Sequence, residues 1–132
     1  MKQLILAGAL SALTSIAMAQ EGIKLDATGA KIDGNMVTGI DVRVVNPGYL
    51  VLHDNAAGAP PNNLGFAAIG SGTTNNVTIQ ANAPLDPANG ISVMLHDETN
   101  GNSTYDFGPG STDVDTPVAL GTGVVMEMIP AN

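Results

Sequence analysis

Frequent glycine, proline, asparagine and aspartate divide this chain into short runs of alternating apolar residues. The sequence contains 16 Gly and 8 Pro, and no amphipathic helical pattern appears after residue 20. Alternation of apolar and polar residues indicates strands with one buried face, and regularly spaced turn residues are typical of an antiparallel sandwich. The sequence therefore predicts an all-β fold, a single Greek-key β-sandwich of roughly seven to nine strands. We expect strands at 23–27, 36–45, 49–53, 64–69, 76–80, 117–120 and 123–129, and another beginning at Ile91.

Two of these segments carry specific expectations. The run 49–53 is almost entirely apolar, which indicates a strand buried on both faces. In 36–45, Ile40, Val42 and Val44 share one face, and the opposite face is charged. The segment 55–63 contains adjacent prolines, which remove two donors from a ladder, so it is expected to be a loop.

The N-terminal segment has the organisation of a cleavable export signal. A short basic stretch precedes an apolar run, from Leu4 to Ile16, that is too short to cross a bilayer as a helix. Ala17-Met18-Ala19 is a small-x-small cleavage site. We therefore expect a helical signal peptide over residues 1–19, one domain over 20–132, no membrane insertion after cleavage, and a periplasmic, secreted or cell-surface location.

Composition narrows the chemistry of the mature domain. There is no cysteine, so packing, hydrogen bonds or a bound ion must hold the fold, and thiolate chemistry is excluded. After residue 20 the basic side chains are Lys24, Lys31 and Arg43, against twelve acidic residues. Nucleic acid is therefore not an expected partner, because it requires a positive surface. An unidentified protein or glycan remains the expected partner.

Oxygen-bearing side chains alternate along the segment that follows the Ile91 strand. Counted from Glu98, they match the first part of an EF-hand loop, in which alternate oxygens surround calcium. Position six is Ser103 instead of glycine and position twelve is Pro109 instead of glutamate, so Asp113 or Asp115 would have to complete the ion's ligands. The predicted calcium ligands are Asp97, Glu98, Asn100, Asn102, the Thr104 carbonyl and Asp106.

The same loop has a plainer interpretation. Asn-Gly is a strong turn signal, and Asn and Asp side chains often cap their own backbone. On this interpretation, the loop is a hairpin connection that joins the Ile91 strand to a strand at 105–107.

The sequence contains two histidines, His53 and His96, each in a Leu-His-Asp triplet at the end of an apolar run. If their strands pair, the histidines approach, and with Met94 they could form an alternative site for copper. Methionines 36, 126 and 128 are further candidate ligands. The competing interpretation is structural, with each histidine bonded to nearby backbone and the methionines filling the core.

Other motifs add little chemistry. No Gly-x-Ser-x-Gly, His-Glu-x-x-His or phosphate-binding motif is present, so the chain is expected not to be an enzyme. Asn76-Val-Thr and Asn102-Ser-Thr are N-glycosylation sequons.

Several motifs together resemble a known family. They are Gly48-Tyr-Leu-Val-Leu-His-Asp54, Leu64-Gly65, the stretch Val93-Met-Leu-His-Asp-Glu-Thr-Asn-Gly-Asn-Ser-Thr-Tyr-Asp-Phe107, and Asp115-x-Pro117. They are similar to an uncharacterised exported domain family of haloarchaeal surface proteins and of bacterial proteins with signal peptides, over about residues 36 to 128. The resemblance implies an immunoglobulin-like or transthyretin-like β-sandwich outside the cytoplasm, and it implies no reaction.

Three functions follow as hypotheses. The first is an exported, non-enzymatic module that binds a partner or has a structural role. Calcium would stabilise its loop 97–106, which we call the acidic loop. The second is a periplasmic copper-handling protein that uses His53, His96 and methionines. The third is a surface subunit that assembles through exposed edge strands.

Overall fold

The computed structural model describes residues 22–54 and 63–131. The expected signal peptide and its cleavage site lie outside the described residues, and so does almost all of the expected loop 55–63. Among the described residues, no helix is long and apolar enough to span a bilayer.

The described residues form two four-stranded antiparallel sheets and a short two-stranded ribbon. The first sheet contains β1 (Lys24–Asp26), β2 (Lys31–Asp33), β3 (Met36–Val44) and β6 (Gly72–Gln80). The second sheet has the order β10-β7-β4-β5 and contains β4 (Gly48–His53), β5 (Gly65–Ile69), β7 (Ser92–Asp97) and β10 (Met126–Met128). The ribbon pairs β8 (Ala119–Leu120) with β9 (Gly123–Val124), and a 3₁₀ turn at Pro87–Asn89 precedes β7.

One apolar core lies between the two sheets. It contains Val37, Ile40 and Ile79 from the first sheet and Leu50 and Leu95 from the second, all almost fully buried. The predicted β-sandwich is confirmed. Alternation accounts for most of this set, because successive side chains on a strand point to opposite faces.

A bulge in β3 extends this inward set. Val37 and Ile40 are three positions apart and would face opposite ways on a regular strand, but both are buried. The pairing of β3 with β6 shifts register between them, and Gly39 has φ +84°. The extra residue turns Ile40 back towards the core.

The strand predictions are largely confirmed, with three differences. Strand β2 lies in a segment where no strand was expected, and the predicted strand 123–129 is divided into β9 and β10. The hairpin interpretation of the acidic loop is wrong: 105–107 forms no strand, and the neighbours of β7 are β4 and β10. The acidic loop instead folds across the second sheet.

Strand β4 is buried at all six positions, as predicted. Its Leu50 and Leu52 face the sandwich core, whereas Tyr49 and Val51 belong to a second buried cluster with Tyr105. Strands β4 and β7, at the centre of the second sheet, are therefore covered on both faces, by the first sheet on one side and by residues of the acidic loop on the other.

Candidate functional site on the outer face of the second sheet

The aromatic and imidazole rings of this protein gather in one place. The sequence contains two Tyr, two Phe, two His and no Trp. All six rings form one connected group on the outer face of the second sheet, with centroid separations of 5.0 Å to 6.5 Å. We call this group the ring cluster: Tyr49, His53, Phe66, His96, Tyr105 and Phe107.

His96 is fully buried at the centre of the ring cluster. Its Nδ1 lies 2.6 Å from the carbonyl oxygen of Asp115, which can only accept, so Nδ1 carries the proton. The ring of Tyr105 packs edge-on against it with a centroid separation of 5.0 Å. The pKa of His96 is lowered to about 4, mainly by burial and also by the nearby His53, although the hydrogen bond to Asp115 and its charge oppose this shift. The imidazole is therefore neutral at neutral pH.

Asp115 connects His96 to the acidic loop. Its carboxylate is fully buried and accepts hydrogen bonds from the backbone N–H of Thr99 at 3.0 Å and of Asp106 at 2.8 Å. Its own N–H donates to the Thr99 hydroxyl at 2.8 Å. Asp115 has φ +47°, a left-handed conformation that Asp tolerates better than most residues. One residue thus holds both ends of the loop against the second sheet.

Glu98 holds the start of the same loop. One carboxylate oxygen accepts from the backbone N–H of Asn100 and Gly101, both at 2.9 Å, and the other accepts from the Tyr49 hydroxyl. The Tyr49 bond and the backbone bonds lower the pKa of Glu98. The pKa of Tyr49 is raised, mainly by burial and also by Glu98. At neutral pH the pair is therefore a phenol donating to a carboxylate.

The exposed tip of the loop is organised around Asp106. The side-chain amides of Asn100 and Asn102 donate to the same carboxylate oxygen of Asp106, at 2.8 Å and 2.6 Å. These two bonds lower the pKa of Asp106. Asn102 also accepts from the backbone N–H of Thr104 at 2.9 Å. The loop is thus closed by hydrogen bonds within the chain.

The structure brings only some of the predicted calcium ligands together. Asn100, Asn102 and Asp106 meet at the loop tip, whereas Glu98 turns to Tyr49. Asp97 is partly buried at the end of β7, which raises its pKa. Within residues 22–54 and 63–131, no three His, Cys, Asp or Glu side chains are grouped as a metal site. Calcium at this loop stays a prediction.

The predicted histidine pair does come together. β4 and β7 are adjacent and antiparallel, and the two imidazole centroids lie 6.1 Å apart. Met94 lies on the same face, opposite Val51 and between the two histidine positions along the paired strands. The site that the sequence predicts for copper is therefore assembled in space, and its occupancy by metal stays a prediction.

Sequence reasoning missed the ring cluster and the role of Asp115. Strand alternation alone gives the shared face of Tyr49, Val51 and His53 and that of Met94 and His96. No periodicity indicates that Tyr105 and Phe107 fold back over those positions. The sequence indicates Asp115 as a further calcium ligand and as part of a family motif, but no spacing rule identifies the backbone groups it binds.

These features define a class of protein: a β-sandwich domain whose outer sheet face is sealed by an acidic loop. The chain matches the family described as "Domain of unknown function (DUF7282)" over residues 23–131, and it belongs to that family.

One curated protein is similar to part of this chain. "Cell surface glycoprotein 1" of Haloarcula hispanica is 32% identical over 82 residues, which are 61% of this chain and 9% of that protein. The chain therefore aligns with less than a tenth of that relative. No solved structure matches this chain.

Replacing Asp115 with alanine should destabilise the domain. The N–H groups of Thr99 and Asp106, whose hydrogen bonds to Asp115 are partly buried, would lose their acceptor, at a cost of up to about 1–3 kcal/mol each. We expect Asp115→Ala to lower the free energy of unfolding in urea by about 2–5 kcal/mol. Amide hydrogen exchange should accelerate most at Thr99 and Asp106. Asp113→Ala, at an exposed carboxylate nearby, is the control, and an equal loss of stability in both variants would contradict the assigned role.

The buried neutral His96 should make stability depend on pH. In the unfolded chain the His96 imidazole binds a proton near pH 6.5, whereas in the folded protein it binds one only near pH 4. Between these values the unfolded state binds more protons, so the free energy of unfolding falls as the pH is lowered from 6.5 to 4. Protonation of His96 lowers the free energy of unfolding by at most about 3 kcal/mol. NMR titration of the His96 ring, with chelator present, checks the cause, and a midpoint near 6.5 would contradict it.

Proposed function

We propose that this protein is an exported module of the cell surface that acts by binding or by structural support and catalyses no reaction. The observation that carries the proposal is membership of the family together with 32% identity to a protein named as a cell surface glycoprotein. The alignment covers only 9% of that relative, so the aligned segment is one small part of the relative's long chain. The expected signal peptide agrees with this location.

The geometry of the acidic loop supports the absence of catalysis. The carboxylates of Glu98 and Asp106 in the loop, and of Asp115 beside it, accept hydrogen bonds that hold the chain together. Asp115 accepts from two backbone amides, Glu98 from the Tyr49 hydroxyl and two backbone amides, and Asp106 from two side-chain amides. A general acid or base must instead reach the proton of a substrate. These groups are therefore better suited to fixing the shape of a surface.

The location can be tested directly on the whole protein. We expect the full chain, carrying a C-terminal epitope tag, to leave the cytoplasm and to have Gln20 as its N-terminal residue in mass spectrometry. Added protease should digest it on intact cells when it is at the surface. A chain that keeps Met1 and fractionates with cytoplasmic proteins would overturn the proposal.

Calcium stabilisation is a finer part of this proposal. Its support is the alternation of oxygen-bearing side chains and the meeting of Asn100, Asn102 and Asp106 at an exposed loop tip. Binding to the folded state alone would stabilise it by about 2.7 kcal/mol at a hundredfold excess over the Kd. We expect calcium to raise the melting temperature above its value in chelator, and Asp106→Ala to abolish the rise. Asp113→Ala should keep it, and an unchanged melting temperature in the wild type would rule calcium out.

A further inference from the structure

The methionines of the described domain are distributed unevenly between the two sheets. Of the four, Met36 is in the first sheet, and Met94, Met126 and Met128 are in the second. Met126 lies directly opposite Met94, and Met128 lies opposite Ser92, which in turn lies opposite His53. Residues opposite one another in antiparallel strands share a face, with Cβ atoms roughly 5 Å apart. Three thioethers therefore share the face that carries both histidines.

These ligands also form a gradient of exposure. Met128 and Met126, on the edge strand β10, are 51% and 43% exposed, whereas Met94 and His53 are only 8% and 5% exposed and His96 is fully buried. The thioethers in contact with solvent are thus continuous with a buried methionine and two buried imidazoles. An ion arriving at β10 would meet sulfur first and nitrogen further in.

The hydrogen bonds of His96 leave a nitrogen suited to a metal. Because Nδ1–H donates to the Asp115 carbonyl, the lone pair of the neutral ring is on Nε2. A backbone carbonyl on the other ring nitrogen is the usual way in which proteins orient a metal-binding histidine. The Tyr105 hydroxyl lies 3.4 Å from Nε2 and 3.5 Å from Nδ1, and this near-equality places it on the lone-pair axis of neither nitrogen.

We propose that His53, His96 and Met94 bind one Cu(I) ion, and that Met126 and Met128 form the thioether path by which it enters. Thioether sulfur is a soft ligand that selects Cu(I), and imidazole also suits copper. Thioether sulfur and neutral imidazole carry no charge, and burying a monovalent ion among neutral ligands costs less than burying a divalent one. The inference concerns the site alone and does not depend on where the protein is located.

Competition for Cu(I) tests the site without relying on location or activity. The purified protein is titrated anaerobically against the Cu(I) chelator bicinchoninate. We expect the wild type to withdraw one Cu(I) per chain. Met94→Leu should weaken the affinity at least tenfold, because it removes a ligand while nearly conserving volume. Met36→Leu, a methionine in the first sheet, is the matched control and should bind as the wild type does.

X-ray absorption separates this site from adventitious binding. Copper in the wild type should show both sulfur and nitrogen neighbours, and a variant with leucine at 94, 126 and 128 should show nitrogen alone. Met126 and Met128 are exposed, so their replacement leaves folding intact, and circular dichroism checks this. A wild type that withdraws no Cu(I), or a Met94→Leu variant that binds as tightly as Met36→Leu, would overturn the proposal. Loss of export would affect only the proposed function.

Discussion

The buried carboxylate of Asp115 is the interaction on which the outer half of this domain depends. A buried polar group must be hydrogen-bonded, and each carboxylate oxygen of Asp115 accepts from a backbone N–H, of Thr99 and of Asp106. Its carbonyl fixes the proton of His96. Loop shape, imidazole tautomer and ring packing are therefore coupled through one residue. These hydrogen bonds hold the acidic loop in place in a chain that contains no cysteine and so no disulfide.

Local pattern predicted most of the sandwich. The alternation in β3 and β6 and the almost entirely apolar run of β4 follow from the direction of successive side chains along a strand, which a sequence displays directly. The short β2 escaped prediction because three residues carry almost no periodic signal, and it is a strand because it pairs with β3. The predicted hairpin with a strand at 105–107 is wrong although its sequence signal is strong. Its turn signals are real, but the bonds of Asp106 and Glu98 use them within the loop instead of between strands.

The site was predictable in its parts but not in its assembly. The repeated Leu-His-Asp triplets and the oxygen-rich loop are visible in the sequence, and the structure places both on the second sheet. Whether His53 and His96 meet depends on the pairing of two strands about forty residues apart, which no local rule specifies. The same holds for Met126 opposite Met94. Long-range register, set by core packing, decides which residues become neighbours.

The double burial of β4 has a consequence for communication across the domain. A strand in an ordinary two-layer sandwich has one face in water, and events at that face are damped by solvent. Here Tyr49 and Leu50, adjacent in sequence, touch the ring cluster and the sandwich core respectively. Close-packed interiors transmit displacement instead of absorbing it. The ring cluster is therefore joined to the sandwich core through a single peptide unit, and a displacement of the Tyr49 ring acts on a strand whose next residue lies in that core.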